Sequence, residues 1–264
     1  MIIKFRRLLI IISFFCLPIT LAYISPVIII QDSFKGIICG SFIIYCIVFL
    51  SSLFFGRLYC SWLCPCGGLQ ECLNVLNLKK ASNRGNYIKY FVWFLWLCVV
   101  IYAAILAGGY KSINFFGHTQ NGVSLITIPG ALAYPMYYIV LTLVTILSLV
   151  FDKRSFCHNI CWLAPFMIIG TKIGRVLQVP KLHIEIEQEN CIGCKKCNSA
   201  CPMSLNVEHL VKTGTFAHTE CILCGECKFA CSKQVFSYKF GKQMQNKLSN
   251  LNKKKDCNLS NKSS

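Results

Sequence analysis

Hydrophobic residues in this chain are gathered into long, uninterrupted blocks. Four blocks contain no Asp, Glu, Lys or Arg: Leu8–Ile30, Gly36–Gly56, Tyr90–Gly109 and Ala131–Phe151. A helix needs about 20 apolar residues to cross the hydrocarbon of a bilayer. The pattern therefore predicts a membrane all-α domain with four transmembrane helices, occupying residues 1–179.

The first block could instead be a cleaved signal peptide, because Lys4, Arg6 and Arg7 precede it. Its apolar run is longer than the roughly 7–15 residues of a signal h-region, and no A-x-A-like cleavage site follows it. We expect this block to be retained as a membrane anchor.

Basic residues are distributed unevenly among the polar connections. They collect at the N-terminus, between the second and third blocks, and after Phe151, whereas the other two connections hold only Lys35 and Lys111. Because Lys and Arg in short loops stay on the cytoplasmic side, we expect a multi-pass protein of the inner (plasma) membrane. Both termini would then be cytoplasmic.

Overall composition agrees with a membrane protein. Aliphatic, aromatic and Cys residues make up 55% of the 264 residues and charged residues only 14%, with a net charge of +17. Positive charge beside membrane spans is explained by topology and anionic lipid, so it does not indicate nucleic acid binding. The basic segment 241–264 lacks any hydrophobic period, and we expect it to be disordered.

Eight of the 19 cysteines form two runs of the spacing C-x2-C-x2-C-x3-C, thirty residues apart. The runs are Cys191, Cys194, Cys197 and Cys201, then Cys221, Cys224, Cys227 and Cys231. This spacing is typical of bacterial ferredoxins, in which the fourth cysteine of each run binds the other cluster. Residues 180–240 are therefore predicted to form a small α+β two-cluster ferredoxin domain with two [4Fe–4S] clusters.

The predicted ligand sets follow from that exchange. One cluster would be held by Cys191, Cys194, Cys197 and Cys231, and the other by Cys221, Cys224, Cys227 and Cys201. The alternative is a pair of zinc sites, which usually consist of two C-x2-C pairs separated by a longer loop. Ser232 replaces the Pro that normally follows the fourth cysteine.

Residues between these cysteines suggest two further roles. Gly193 and Gly225 would allow the backbone to approach inorganic sulfide and donate N–H groups to it. Lys195, Lys196 and Lys228 could attract an acidic redox partner, or could simply be a solvated face.

A second cysteine pattern follows the second and fourth apolar blocks. Cys60 and Cys64 recur as Cys157 and Cys161, each pair preceded by an arginine, with 97 residues between equivalent positions. The repeat indicates a pseudo-duplicated two-helix unit. On a helix, i and i+4 sulfurs share one face, so four thiols could bind a third metal or form a redox dithiol; alternatively they are small residues that cap the spans.

The other cysteines show no such pattern. Those inside the apolar blocks are expected to be packing residues: Cys16, Cys39, Cys46 and Cys98. Those without a partner at metal spacing are Cys66, Cys72 and Cys257. His118, in an outer loop, could accept a proton from a quinol, or could merely be an exposed loop residue.

The combination resembles the polyferredoxin-like 4Fe-4S binding membrane proteins of the NapH, NosR and CcoG type, and in particular the YccM-like proteins. The resemblance covers Phe55 to Ser232 and is carried by FGRLYCSWLCP, by CHNICWLAPFM and by the ferredoxin runs. It differs from the nitrate-reductase subfamily at Trp162, where Pro follows the second cysteine in that subfamily.

The resemblance implies electron transfer between the quinone pool (menaquinol or ubiquinol) or a cytoplasmic donor and a partner reductase, ferredoxin or cytochrome. The alternative is a redox sensor or an assembly factor for a respiratory metalloenzyme. No nucleophile–base constellation is visible, so we expect a non-catalytic electron carrier or, at most, a quinol dehydrogenase subunit.

Overall fold

A computed structural model describes residues 2–74, 76, 79, 81, 86–119, 133–214 and 216–242 of the protein, with positions 86 and 133–137 described by backbone only. The predicted disordered tail 241–264 and Cys257 lie almost wholly outside these residues. The described chain consists of a helical part followed by a small α+β part.

Among the described residues, ten helices and two short strands form the first part. They are α1 (Ile2–Phe15), α2 (Leu17–Ile24), α3 (Pro26–Phe34), β1 (Ile37–Cys39), α4 (Gly40–Phe55), α5 (Leu58–Trp62), α6 (Pro65–Leu73), α7 (Asn86–Leu106), β2 (Ser112–Asn114), α8 (Ala133–Val150), α9 (Ser155–Asn159) and α10 (Leu163–Val176). The strands β1 and β2 pair in parallel.

The first apolar block is not one helix, contrary to the prediction for Leu8–Ile30. It is divided among α1, α2 and α3, and α1 and α2 meet at an angle of 80°. Pro18 lies in the first turn of α2, and Pro26 is the first residue of α3. Proline lacks the N–H needed inside a helix but fits its first turn, so the two prolines account for both breaks.

Among the described residues, one helix is long and apolar enough to cross a membrane, Tyr87–Leu106 within α7, with a mean hydropathy of 2.1. A second would be counted if the bent pair α1 and α2 formed one broken span. The described apolar stretches Gly40–Phe55 (α4) and Tyr138–Val150 (within α8) are shorter than a full span. In the described residues, the four predicted spans thus correspond to one full-length helix, two shorter apolar stretches and a broken segment.

Close packing of α4 on α10 joins the two halves of the repeat. A Cβ added at Gly174 would lie 2.6 Å from the carbonyl oxygen of Leu53, and one at Gly170 would clash with Ser52. Small residues four apart let two helix backbones approach closely. The equivalent short helices α5 and α9 cover residues 58–62 and 155–159, which differ by the same 97 positions as the cysteines.

The second part has the α+β fold of a ferredoxin. It contains β3 (Lys181–Ile186), α11 (Lys196–Ala200), α12 (Val207–Lys212), α13 (Glu226–Ala230) and β4 (Phe236–Gly241). The strands pair antiparallel from Lys181 opposite Gly241 to Ile186 opposite Phe236. Val207, Val211 and Val235 form part of the core between this hairpin and the helices.

Candidate functional site

The eight ferredoxin cysteines are divided between two cavities. One is lined by Cys191, Cys194, Cys197 and Cys231. The other is lined by Cys201, Cys221, Cys224 and Cys227. This is the division expected if the fourth cysteines are exchanged. We call the first the distal cavity and the second the proximal cavity.

Short helices produce the exchange of the fourth cysteine. The helix α11 contains Cys197, at the distal cavity, and ends at Cys201, at the proximal cavity. The helix α13 likewise contains Cys227 and ends at Cys231. The fourth cysteine of each run therefore lies at the end of a helix.

Equivalent positions of the two runs share a left-handed backbone conformation, although only one residue of each equivalent pair is a glycine. Gly193 and Leu223 have φ of 70° and 53°, and Lys195 and Gly225 have φ of 58° and 79°. Left-handed residues between the cysteines turn successive N–H groups toward one side, which creates a concavity suited to an anionic centre. A Cβ added at Gly225 would lie 2.7 Å from the hydroxyl of Tyr238, whereas a Cβ added at Gly193 would have no other atom within 4 Å.

The cysteines surround the cavities and do not converge on single points. Within the described ranges, no three His, Cys, Asp or Glu side chains are arranged to hold one metal ion. A mononuclear zinc site would bring its sulfurs to about 2.3 Å from one centre. Four thiols around a void, with backbone N–H groups turned inward, fit an iron–sulfur cluster instead.

The two cavities differ in their surroundings. Cys194 and the neighbouring Lys195 and Lys196 are exposed at the distal cavity, together with Ile192, which is 65% exposed. At the proximal cavity, Cys201 and Cys224 pack against the hydrophobic core of the helical part. The proximal cavity therefore faces the first part of the chain, and the distal cavity faces solvent.

The repeated C-x3-C pairs do not lie on continuous helices, contrary to the i, i+4 expectation. Cys60 lies in α5, which ends at Trp62, and Cys64 is the residue before α6. Cys157 lies in α9, and Cys161 falls between α9 and α10. In both copies the chain turns between the two thiols.

The structure nevertheless brings all four of these thiols together. Cys60, Cys157 and Cys161 are buried, with exposures of 4%, 4% and 8%, and Cys64 is half-buried. Burial raises the pKa of Cys161, and the charges of the other three thiols raise it further. Burial also raises the pKa of Cys157 to about 11, against the opposing effect of Arg154. Cys60 donates to the sulfur of Met167 at 3.5 Å.

The arginines before the two pairs are interior residues. Arg57 and Arg154 are 1% and 0% exposed, so they do not act as membrane-surface charges, and the same holds for Arg6 and Lys89, each 0% exposed. The sequence-based topology had counted all four as basic loop residues.

Buried guanidinium groups suit an anionic centre at the four thiols. In the described part of the chain, Nε and Nη2 of Arg57 and Nε of Arg154 have no hydrogen-bond partner. Both arginines lower the pKa of Cys60, although burial raises it more strongly. Thiolate-bound iron–sulfur centres are negatively charged and are tuned by surrounding N–H donors, so the residues present fit such a group.

Three carboxylates pair with these cations, and two of them, Glu220 and Glu226, belong to the ferredoxin part. Glu71 accepts from Arg6 at 2.8 Å and from Arg154 at 2.5 Å. Glu220, directly before Cys221, accepts from Arg57 and Lys89, both at 2.6 Å. Burial alone would raise the pKa of each carboxyl, but the paired cations outweigh it and hold the pKa of Glu71 and of Glu220 at about 2.

The third carboxylate lies inside the second cysteine run. Glu226 accepts from Arg6 at 2.6 Å and from Arg7 at 2.9 Å. The Ser61 hydroxyl donates to the carbonyl oxygen of Ile222 at 2.6 Å. The second cysteine run is thus attached to α1 through two ion pairs and to the segment that contains Cys60 through a hydrogen bond.

A cavity of about 460 Å³ lies between α2, α3, α4 and the thiol segments. Its polar lining includes Cys64, Cys66, Cys161 and His118. Cys66 and Cys64 are in hydrogen-bond contact, which is the main reason that the pKa of Cys64 is raised. Cys66, which has no partner at metal spacing in the sequence, thus contacts one of the four thiols.

The other cysteines occupy separate positions. Cys16 lies at the break between α1 and α2, and Cys39 is buried directly before α4. Cys46, Cys72 and Cys98 are exposed. Their spacing in the sequence does not link them to the four thiols.

Two families of iron–sulfur domains match this chain. A 4Fe-4S dicluster domain matches residues 190–236, which contain all eight ferredoxin cysteines. A 4Fe-4S binding domain matches residues 39–83 and 132–180, the two halves of the repeat with their C-x3-C pairs. The chain belongs to the polyferredoxin-like 4Fe-4S proteins.

Relatives of this polyferredoxin-like protein come from bacteria and archaea. An uncharacterized protein of Methanocaldococcus jannaschii is 28% identical over 75% of this chain and 79% of its own length. YccM of Escherichia coli is 27% identical over 70% of this chain and 52% of its own. The ferredoxin-type protein NapH of the same organism is 24% identical over 69% and 61%.

These matches leave part of each named relative uncovered. The polyferredoxin-like protein spans about half the length of YccM and less than two thirds of NapH. No solved structure matches this chain. The relatives establish an iron–sulfur electron carrier of ferredoxin type.

Proposed function

We propose that this protein is a membrane-anchored electron carrier. It would transfer electrons between the quinone pool or another donor and a partner protein, through two [4Fe–4S] clusters in the ferredoxin part. When bound, the clusters supply one-electron transfer, and the protein supplies their spacing, burial and hydrogen bonds. The relative NapH, which is named as a ferredoxin-type protein, agrees with this role.

The observation that carries the proposal is the order of the cysteine groups. The proximal cavity packs against the core that contains Cys60 and Cys161, and the distal cavity opens at exposed Cys194. The ligands of the two cavities share α11 and α13. The chain therefore orders its redox groups from the helical part to the solvent-facing surface.

Cys60, Cys64, Cys157 and Cys161 would hold a third redox centre at the start of this order. Their mutual proximity, their burial and the unpartnered N–H groups of Arg57 support this assignment. A reversible dithiol would need an accessible thiolate of lowered pKa, whereas burial raises the pKa of Cys157. An iron–sulfur centre is the assignment that these groups favour.

The partner would dock around the distal cavity. Ile192, Lys195 and Lys196 surround exposed Cys194, and an apolar residue among like charges is suited to a transient acidic partner, which such charges would steer toward the surface. Lys228 lies over the ring of Tyr238 at 5.6 Å and is not adjacent to Cys194 in the sequence. We assign docking to Lys195 and Lys196 and omit Lys228.

Membrane insertion would use the apolar outer faces of α7 and α8. Phe91, Phe94 and Ile105 on α7 are 64%, 58% and 70% exposed, and Tyr138 on α8 is 61% exposed. Exposed apolar faces of this extent are unfavourable in water. We propose four membrane-embedded segments with the ferredoxin part cytoplasmic, since Lys35 and Lys111 remain the basic residues of the outer connections.

Iron analysis and electron paramagnetic resonance (EPR) test the proposal. Anaerobically purified protein should contain about eight iron atoms in the ferredoxin part. Cys194→Ser should alter only the signal of the distal cluster, and Cys224→Ser only that of the proximal one. Cys98→Ser, an exposed cysteine of α7, is the matched control and should change neither signal. Tightly bound zinc without iron would refute the proposal.

Variants of the four thiols test the third centre separately. Cys60→Ala should remove the iron in excess of about eight atoms and leave both ferredoxin signals intact. Adding Cys161→Ala should do little further damage, because ligands of one centre act as a unit. If the double variant retained full electron transfer and an unchanged iron content, these thiols would be packing residues and the proposed third centre would be refuted.

A further inference from the structure

The cavity of about 460 Å³ is of the size and character of a small-molecule site. Such sites typically measure about 300–1,000 Å³, with apolar walls and a few convergent polar groups. Here the walls include Leu17, Leu21 and Ile28, and the polar lining includes Cys64, Cys161 and His118. A ligand in this cavity would contact both the thiols and the histidine.

His118 is held in place by a buried carboxylate. Its Nε2 lies 2.9 Å from both carboxylate oxygens of Asp32, whose side chain is 5% exposed. The ammonium group of Lys35 is 3.9 Å from Asp32 and is the other charged group that contacts the pair in the described residues. With Nε2–H donating to Asp32, Nδ1 of His118 is left as the proton acceptor, and the carboxylate stabilises the imidazolium that results.

The combination of these two features identifies the ligand chemically. Apolar walls favour a lipid-soluble ring or chain, and Cys64 and Cys161 place the ligand beside the proposed third redox centre. A histidine–carboxylate pair is needed only if the ligand gives up a proton. A hydroquinone is the class of compound that is lipid-soluble, loses electrons and loses protons together.

We infer that this cavity binds a lipid-soluble hydroquinone and that His118, oriented by Asp32, is the catalytic residue that accepts its protons. The inference rests on the proposed function, because the electrons must pass to oxidised iron–sulfur centres of this chain. In each of two steps an O–H bond of the hydroquinone would break and an N–H bond would form at Nδ1 of His118, which would release its first proton to water before the second step. The bound clusters would each take up one electron. The products are the quinone, two protons released through His118 and two reduced acceptors.

Protons and electrons would leave at opposite ends of the protein. The start of α7 lies at the ferredoxin part, where Lys89 pairs with Glu220. Its 21 residues span about 30 Å, and the chain then continues to β2 and His118. His118 is 25% exposed, so it can return its proton to water on the side away from the ferredoxin part.

The first test is binding, measured without turnover. Full-length protein in detergent is titrated with a short-chain quinone, and quenching of Trp fluorescence is followed, since Trp162 lines the cavity. Ala22→Phe, which fills the cavity wall, should weaken binding at least tenfold. His118→Ala should change binding less than threefold. Quinone binding that is unaffected by Ala22→Phe would overturn the inference.

The second test separates proton acceptance from electron transfer. Reduction of the clusters is followed by stopped-flow absorbance with hydroquinone and, separately, with dithionite. His118→Ala should slow reduction by hydroquinone about 100-fold, the usual scale for loss of a general base, and leave reduction by dithionite unchanged. Asp32→Asn should slow it about tenfold, and His209→Ala, an exposed residue of α12, should have no effect.

The outcomes distinguish the two proposals. If hydroquinone reduces His118→Ala at the wild-type rate, or fails to reduce the wild type while dithionite does, the inference is wrong and the electron-carrier function stands. If dithionite produces no iron–sulfur EPR signal in the wild type, the proposed function itself is wrong.

Discussion

Glu220 offers the sharpest test of how the ferredoxin part is attached to the helical part. Its side chain is 7% exposed and lies 2.6 Å from both Arg57 and Lys89, which are fully buried. Glu220→Gln retains the shape of the side chain and removes its charge. Two buried cations would then face each other without a counter-charge beside the proximal cavity.

The cost follows from the pKa of this carboxyl. Burial would raise it, but Arg57 and Lys89 outweigh burial and lower the pKa from 4.5 to about 2. At 1.36 kcal/mol per unit, the ionised form is favoured by about 3 kcal/mol. Removing one partner of a buried ion pair costs about 3–5 kcal/mol, which agrees with this figure.

Native-state hydrogen exchange measures the effect directly. A loss of about 3 kcal/mol should increase exchange of the amides in residues 216–242 about 100-fold. Glu185→Gln is the matched control, because its pair with Lys239 is 59% and 43% exposed and such a pair contributes at most about 1 kcal/mol. If both variants exchange equally, the buried pair does not secure this interface.

The sign of the pH dependence is also determined. A depressed carboxyl pKa contributes stability that is complete above the unfolded-state value of 4.5 and is lost as the pH falls toward about 2. The difference in stability between wild type and Glu220→Gln, measured by hydrogen exchange, should therefore be constant from pH 8 to pH 5. A difference that declined steadily across this range would contradict the assignment.

Two further predictions concern the membrane topology and the cluster loops. A reporter active only outside the cytoplasm should function when fused after Lys111 and fail when fused after Lys181, and the reverse pattern would place the clusters outside. Gly225→Ala should sharply reduce the occupancy of the proximal cluster, measured by EPR, because its Cβ would lie 2.7 Å from the hydroxyl of Tyr238 at a φ of 79°. Gly193→Ala, with a φ of 70° and open space around it, should cost only backbone strain of about 1 kcal/mol; equal damage from both substitutions would refute the steric explanation.

The ferredoxin part could be predicted from the sequence because its geometry is local. Two-residue gaps and one short helix decide which cysteines share a cavity, so the spacing alone separates Cys197 from Cys201. The equivalence of α5 and α9 could be predicted for the same reason, since each of these five-residue helices is specified by its own short segment and the two segments have the same cysteine spacing. The breaks at Pro18 and Pro26 were also predictable, because proline disfavours the interior of a helix. The length of the apolar block favoured a single span instead.

Contacts between distant segments were decided only by the tertiary structure. Arg57 and Arg154 resemble ordinary loop charges in the sequence, yet they are buried, because Glu220 and Glu71 come from segments 163 and 83 residues away. His118 looks like a lone loop residue until packing places Asp32 beside it, 86 residues away. Spacing along the chain specifies which ligands share a cluster, whereas burial and the partners of a charge depend on which segments pack together, and no local pattern encodes that.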